Sequence, residues 1–109
     1  MEAAVARQLP LIASLCERYG VAHLELFGSA ATGEFRSGSS DYDFLVELDD
    51  AAPGSKARRW IGLADALEEL LGSHVDLVSP RYIANPYFRH AIDRSRVVIY
   101  DRQGSQTPA

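Results

Sequence analysis

Apolar and polar positions along the chain follow two rhythms, and the switches between them mark the elements. Val5, Leu9, Ile12, Cys16 and Tyr19 recur at spacings of three and four, which is one face of a helix. Pro10 interrupts it: either a helix starts late with Pro10 in its first turn, or the helix kinks there. Gly20 suits the position that ends it. From Val21 to Phe27 the period drops to two, with Leu24 and Leu26 set against His23 and Glu25, as in a strand. Gly28 to Ser40 is rich in Gly, Ser and Ala and reads as a turn with room for one short helical piece. Asp41 to Leu48 forms a second strand. Tyr42, Phe44, Val46 and Leu48 share one face; Asp41, Asp43, Leu45 and Glu47 share the other.

Beyond a loop at Pro53 and Gly54, Ser55 caps a helix from about Lys56 to Leu71. Its apolar stripe is Trp60, Leu63, Ala64, Leu67, Leu70 and Leu71, and Gly72 ends it. His74 to Val78 is a third strand, with Asp76 and Val78 on one face. Asn85 caps a short helix with Pro86 at its first position, and Arg96 to Tyr100 is a fourth strand. The order α-β-β-α-β-α-β predicts an α/β fold in which helices pack on one small mixed sheet.

Length and composition narrow the function. With 109 residues, the chain makes one domain, expected over residues 1–102, with a polar tail at 103–109 expected to fray. A core of this size leaves no room for a separate substrate-gripping domain. The net charge of −4 argues against a broad duplex-binding surface, which must neutralise many phosphates. No apolar run approaches the roughly 20 residues that span a membrane, and no signal peptide opens the chain. Cys16 is the only cysteine, so an internal disulfide and a cysteine metal cluster are both excluded, and a cytoplasmic protein is expected.

The chemistry concentrates at two strand beginnings. Asp41 and Asp43, two residues apart on a strand, project from one face, about 6.6 Å apart along it. Like charges that close are costly unless a cation lies between them, and a hard divalent ion such as Mg²⁺ prefers carboxylate oxygens. The helix between this strand and the strand at Val75 should make a right-handed crossover, so the two strands run parallel. Asp76, near the start of its strand, then meets Asp41 and Asp43 at one end of the sheet. The preceding strand runs the other way and delivers Gly28 and Ser29 to the same end. There Gly28 permits close approach to a phosphate and Ser29 adds a hydroxyl donor. Three carboxylates beside such a turn are the layout for two-metal phosphoryl or nucleotidyl transfer.

Three segments together resemble a family. They are Leu26-Phe27-Gly28-Ser29-Ala30-Ala31-Thr32-Gly33, Ser40-Asp41-Tyr42-Asp43-Phe44-Leu45-Val46 and Val75-Asp76-Leu77-Val78. They are similar to the minimal nucleotidyltransferases of the DNA polymerase β superfamily, and most of all to the MNT antitoxins paired with HEPN toxins. The likeness runs from the first helix to Tyr100. It implies a polymerase β-like palm without fingers or thumb. It also implies that Gly28 and Ser29 hold the triphosphate of ATP, that Asp41 and Asp43 bind two Mg²⁺ ions, and that Asp76 binds the ion that activates the attacking hydroxyl. The implied reaction is AMP transfer from ATP to a tyrosine of a HEPN toxin, silencing it, as the antitoxin of a type VII-like pair. Where the family often carries Arg this chain has Thr32, and Gly38 absorbs extra length in the turn. Two rival readings stand beside this one: nucleotidyl transfer to a small molecule such as an aminoglycoside, and a non-catalytic module that neutralises a toxin by contact.

Other residues carry weaker signals. Arg36 is either a triphosphate contact or a solvated loop charge. Arg81, Tyr82 and Tyr87 lie beyond the third carboxylate strand, where they could line the base or acceptor side. His23, His74 and His90 lack mutual ligand spacing and read as surface or packing residues. Trp60 reads as core or as a partner contact. Lys56, Arg58 and Arg59 open a helix that ends in acids, against the macrodipole at a cost of a few tenths of a kcal/mol each. They read as a solvated face, or else as a contact with an acidic partner far from the nucleotide.

Overall fold

The computed structural model describes residues 1–36 and 39–103, with the Tyr82 side chain left aside; Gly38 and the tail at 104–109 lie outside the described residues. Four strands form one sheet in the order β3-β2-β1-β4. They are β1 (Val21–Phe27), β2 (Tyr42–Leu48), β3 (Val75–Val78) and β4 (Val97–Asp101). β1 runs antiparallel to both β2 and β4, while β2 and β3 are parallel. The mixed sheet expected from the element order is therefore present, and the parallel pair is the one joined by a helix.

Three helices build the main layer: α1 (Ala3–Arg7), α2 (Leu9–Arg18) and α4 (Lys56–Leu71). The chain breaks between α1 and α2 at Gln8, and Pro10 sits in the first turn of α2, where its missing N–H costs no helical bond. Val5, Ile12, Cys16, Leu63, Leu67 and Leu71 meet Leu24, Leu26, Tyr42, Phe44 and Val46 in one core. Each fully buried large side chain there contributes about 1.5–3 kcal/mol. Tyr42 brings its hydroxyl into this core and donates it to Glu2 Oε1 at 2.9 Å, while Phe35 stacks on its ring at 4.5 Å. A polar end and a stacked ring thus fix the first residue of β2, beside Asp43.

The opposite face of the sheet carries a smaller cluster. Phe27, Leu45 and Ile92 are buried there, with Val78 and Ile83 packed against them. Ile92 belongs to α5 (Pro86–Asp93), whose start is capped by the Asn85 side chain. So α5 does not join the main helical layer. It closes over the end of the sheet where β1 leaves for the short helix α3 (Ser29–Thr32).

The basic run at the start of α4 is not uniform. Arg59 is 8% exposed and spans the chain's carbonyls: it donates to the oxygens of Tyr19, Gly20, Asp49 and Gly54 at 3.1–3.4 Å. A solvated helix face is therefore wrong for Arg59, whose buried guanidinium ties the end of α2 to the loop between β2 and α4. Gly20 makes room for it: a Cβ there would lie 2.6 Å from the guanidinium. Lys56 and Arg58 remain exposed, and Lys56 pairs with Asp50.

Candidate active site

The parallel register sets the site. Tyr42 aligns with Val75 and Asp43 with Asp76, and the Tyr42 N–H donates to the His74 carbonyl at 2.9 Å. The same alignment carries Asp41, just before β2, alongside His74, just before β3. Asp41, His74 and Asp76 each offer a ligand atom, and these atoms lie within 4.8 Å of one another. His74 stands between two carboxylates: its Nε2 is 2.9 Å from Asp76 Oδ1 and its Nδ1 is 3.0 Å from Glu68 Oε2. Hydrogen bonding to Asp76 is the main cause that raises the His74 pKa. Reading the sequence for histidine spacing alone left His74 out of the site. Its partners are carboxylates on other elements.

Asp43 differs from its neighbours because it is half-buried. Burial pushes its carboxyl up to about 6, and the charges of Asp76 and Asp41 add to the effect, opposed by His74. A carboxylate held against its own ionisation by two others is a strong demand for positive charge. The ligand atoms that lie together are those of Asp41, His74 and Asp76, with Asp43 coupled to the two carboxylates by charge; carboxylate oxygens of this kind are the hard donors that a divalent cation takes.

The turn after β1 closes the site from above. Phe27 pairs with Asp43 across β1 and β2, so Gly28 follows directly over that carboxylate. Gly28 has φ 75° and ψ −154°, a conformation that L side chains rarely adopt. A Cβ added there would lie 2.6 Å from Asp43 Oδ2. Gly28 is therefore required twice, by its backbone angle and by its clearance over Asp43. Its N–H is already engaged, donating to Ser95 Oγ at 3.0 Å. Ser29 starts α3 next to it, and the Thr32 hydroxyl, on the outer side of the same helix, donates to Glu34 at 3.2 Å.

Residues 11–99 match the family described as the nucleotidyltransferase domain. The chain belongs to that family. Its chemistry is therefore transfer of a nucleotidyl group. Among relatives, a Methanocaldococcus jannaschii protein named as a protein adenylyltransferase is 35% identical over 85 residues, covering 78% of this chain and 83% of its own. The protein adenylyltransferase MntA of Thermococcus cleftensis is 41% identical over 64 residues, covering 59% of this chain and 61% of its own. A solved minimal nucleotidyltransferase superposes with a TM-score of 0.69 at 36% identity, covering 89% of this chain and 95% of its own. A toxin–antitoxin complex solved with AMP-PNP contains a chain that superposes with a TM-score of 0.64 at 26% identity, over 89% of this chain and 76% of that one. The resemblance read from the three segments and the nucleotidyltransferase fold are both borne out.

In this nucleotidyltransferase the remaining candidates disperse. Arg81 lines grooves of about 540 and 600 Å³ with Glu47 and Leu48, at the far end of β2 from Asp43, because β3 runs parallel to β2 and the short 3-10 turn Pro80–Tyr82 follows its C-terminal end. Trp60 lines the first of these grooves and is only partly buried. Tyr87 is 85% exposed on α5. Arg36 is exposed on the loop, with its backbone N–H held by Ser40 Oγ at 3.0 Å. Ser95 went unread in the sequence, and Glu25 reads there only as part of the polar face of β1. Glu25 is 5% exposed and accepts Arg96 Nε at 2.6 Å and Nη2 at 3.0 Å, with His23 Nε2 2.6 Å away. Strand alternation marked Glu25 as a solvent position; the only sign against it was Arg96, distant in sequence.

Proposed function

We propose that this chain transfers AMP from ATP to a tyrosine of a HEPN-type toxin and so acts as the antitoxin of a type VII-like pair. The observation that carries the reading is the placement of Asp43 under Gly28 and in register with Asp76, in a chain about one-third identical to proteins named protein adenylyltransferases. Similarity to a toxin–antitoxin complex solved with AMP-PNP supports both the nucleotide and the class of partner.

The residues divide the work. Asp41, Asp43 and Asp76 hold two Mg²⁺ ions, which when bound stabilise the charge on the attacking and leaving oxygens. Gly28 and Ser29 hold the triphosphate, Gly28 by leaving space over Asp43 and Ser29 through its hydroxyl. The triphosphate is thereby aligned so that the bond from the tyrosine oxygen to the α-phosphorus forms as the bond to pyrophosphate breaks, the phenolic proton passing to Asp76. Asp76, exposed at the edge strand, faces the side from which an acceptor arrives and orients the tyrosine hydroxyl. The acceptor tyrosine is carried by the toxin partner, in keeping with the similarity to a chain of a toxin–antitoxin complex.

The test is incubation of the purified chain with ATP, Mg²⁺ and a helical HEPN protein encoded beside it. Covalent AMP on a tyrosine of that protein, lost with Asp43→Asn, is the expected result. Modification of a small molecule alone, or suppression of the toxin with no AMP transfer, overturns the reading.

A further inference from the structure

The second observation at the Gly28 turn lies outside the acidic residues. Ser95 follows α5 and precedes β4, 67 residues along the chain from Gly28. Its hydroxyl lies 3.3 Å from the Ala91 carbonyl and 3.4 Å from the Ile92 carbonyl, and it donates toward them. That choice of donor direction leaves a lone pair for the Gly28 N–H at 3.0 Å. The bond is partly buried, and it secures the residue whose backbone angle is the most demanding in the site. Two apolar contacts run beside it. Ile92 is buried against Phe27, and the Phe88 ring meets the Phe27 ring edge-on at 6.1 Å. So α5 holds both residues of the Phe27–Gly28 corner, Phe27 by packing and Gly28 by a hydrogen bond.

We infer that Ser95 is a positioning residue for nucleotide binding: it locks the Gly28 turn at the height over Asp43 at which Ser29 meets the triphosphate. The inference rests on the nucleotide reading proposed above. Removing the hydroxyl leaves the Gly28 N–H without its acceptor, and the turn then samples orientations that do not receive a phosphate. The loss falls on ATP binding more than on the chemical step, because Ser95 touches no reacting atom. Ser95→Thr keeps a hydroxyl on the same carbon and restores the bond.

The experiment uses the full chain with ATP and Mg²⁺, as wild type, Ser95→Ala and Ser95→Thr. Affinity is measured by calorimetry, Gly28 amide exchange by NMR and folding by thermal melting. Ser95→Ala is expected to weaken ATP binding roughly five- to tenfold, the size of one lost hydrogen bond, to speed Gly28 exchange, and to keep a cooperative melt. Ser95→Thr is expected to return both readings to near wild type. Wild-type affinity in Ser95→Ala, or unchanged Gly28 exchange, overturns the inference while leaving the nucleotide reading intact. Equal weakening in Ser95→Thr also overturns it, since the hydroxyl is then irrelevant. A wild-type chain that binds no ATP with Mg²⁺ sinks the nucleotide reading itself and the inference with it.

Discussion

Asp43 shows how a single side chain sets function against stability. Without a cation its carboxylate is half-buried beside two others, and its raised pKa means that ionising it costs folding energy above about pH 6. Asp43→Asn removes that charge at nearly constant shape. In EDTA at neutral pH the variant should melt higher than wild type, by about 1–2 kcal/mol after allowing for solvent screening. Its transfer activity should fall by orders of magnitude. Thermal melts and turnover on one preparation check both. Gly28→Ala tests the same carboxylate from the other side. A methyl 2.6 Å from Asp43 Oδ2, at a positive φ, should cost about 1–3 kcal/mol and reduce activity together.

Among elements, the β1–β4 pair carries a charge cluster with its own pH signature. His23 lies between Glu25 and Asp101, with Arg96 on the far side of Glu25. Burial alone would lower the His23 pKa, but its bonds to Glu25 and Asp101 raise it above 6.5. Burial would likewise raise Glu25, but Arg96 and His23 hold it below 4.5. The His23 contribution is therefore complete below pH 6.5 and fades as pH rises through its raised value. The Glu25 contribution is complete above pH 4.5 and fades as pH falls through its lowered value. With Asp43→Asn, which removes the carboxyl whose ionisation costs stability up to about pH 6, denaturant melts should give a plateau between these limits, and adding His23→Gln should flatten the alkaline decline. At the start of α4, Arg59→Ala should cost about 1–3 kcal/mol, because the Tyr19 and Gly54 carbonyls lose their donor while those of Gly20 and Asp49 keep a backbone N–H. Lys56→Glu with Arg58→Glu should change stability by less than about 1 kcal/mol. Parallel urea titrations of the two variants separate the buried arginine from its exposed neighbours.

At the scale of the molecule, two layers serve two purposes. The main helical layer on one face of the sheet supplies the core, and the single helix α5 on the other face braces the end where β1 turns. The three carboxylates gather on that end with no Lys or Arg paired to them among the described residues. Divalent cation binding should therefore raise the melting temperature of the whole chain, since a ligand bound only by the folded state stabilises it by mass action. Melts with millimolar Mg²⁺ against EDTA check this, and the shift should vanish in the Asp41→Asn, Asp43→Asn double variant.

Much of this architecture was legible before any coordinates. Period-two and period-three-to-four patterns marked β1, β2 and α4 almost to the residue, because each buries one regular face in the main core; Phe27 and Leu45, buried on the second face of the sheet, follow no such pattern. The crossover rule then placed Asp76 beside Asp43, because a helix between two strands leaves one economical handedness. Local pattern had no access to contacts closed by residues far apart in the chain. Glu25 reads as a polar strand position until Arg96 returns beside it, 71 residues later. Arg59 reads as a surface charge until the ends of α2 and β2 turn their carbonyls toward it. Ser95 has no motif, and His74 gains its role only when two parallel strands start side by side. Sequence alone determined the elements and the residue types at the acidic end, because backbone periodicity and strand alternation act over a few neighbours. Tertiary structure decided which polar groups are buried and which donor meets which acceptor, because hydrogen bonds and ion pairs depend on distances that only the closed fold creates.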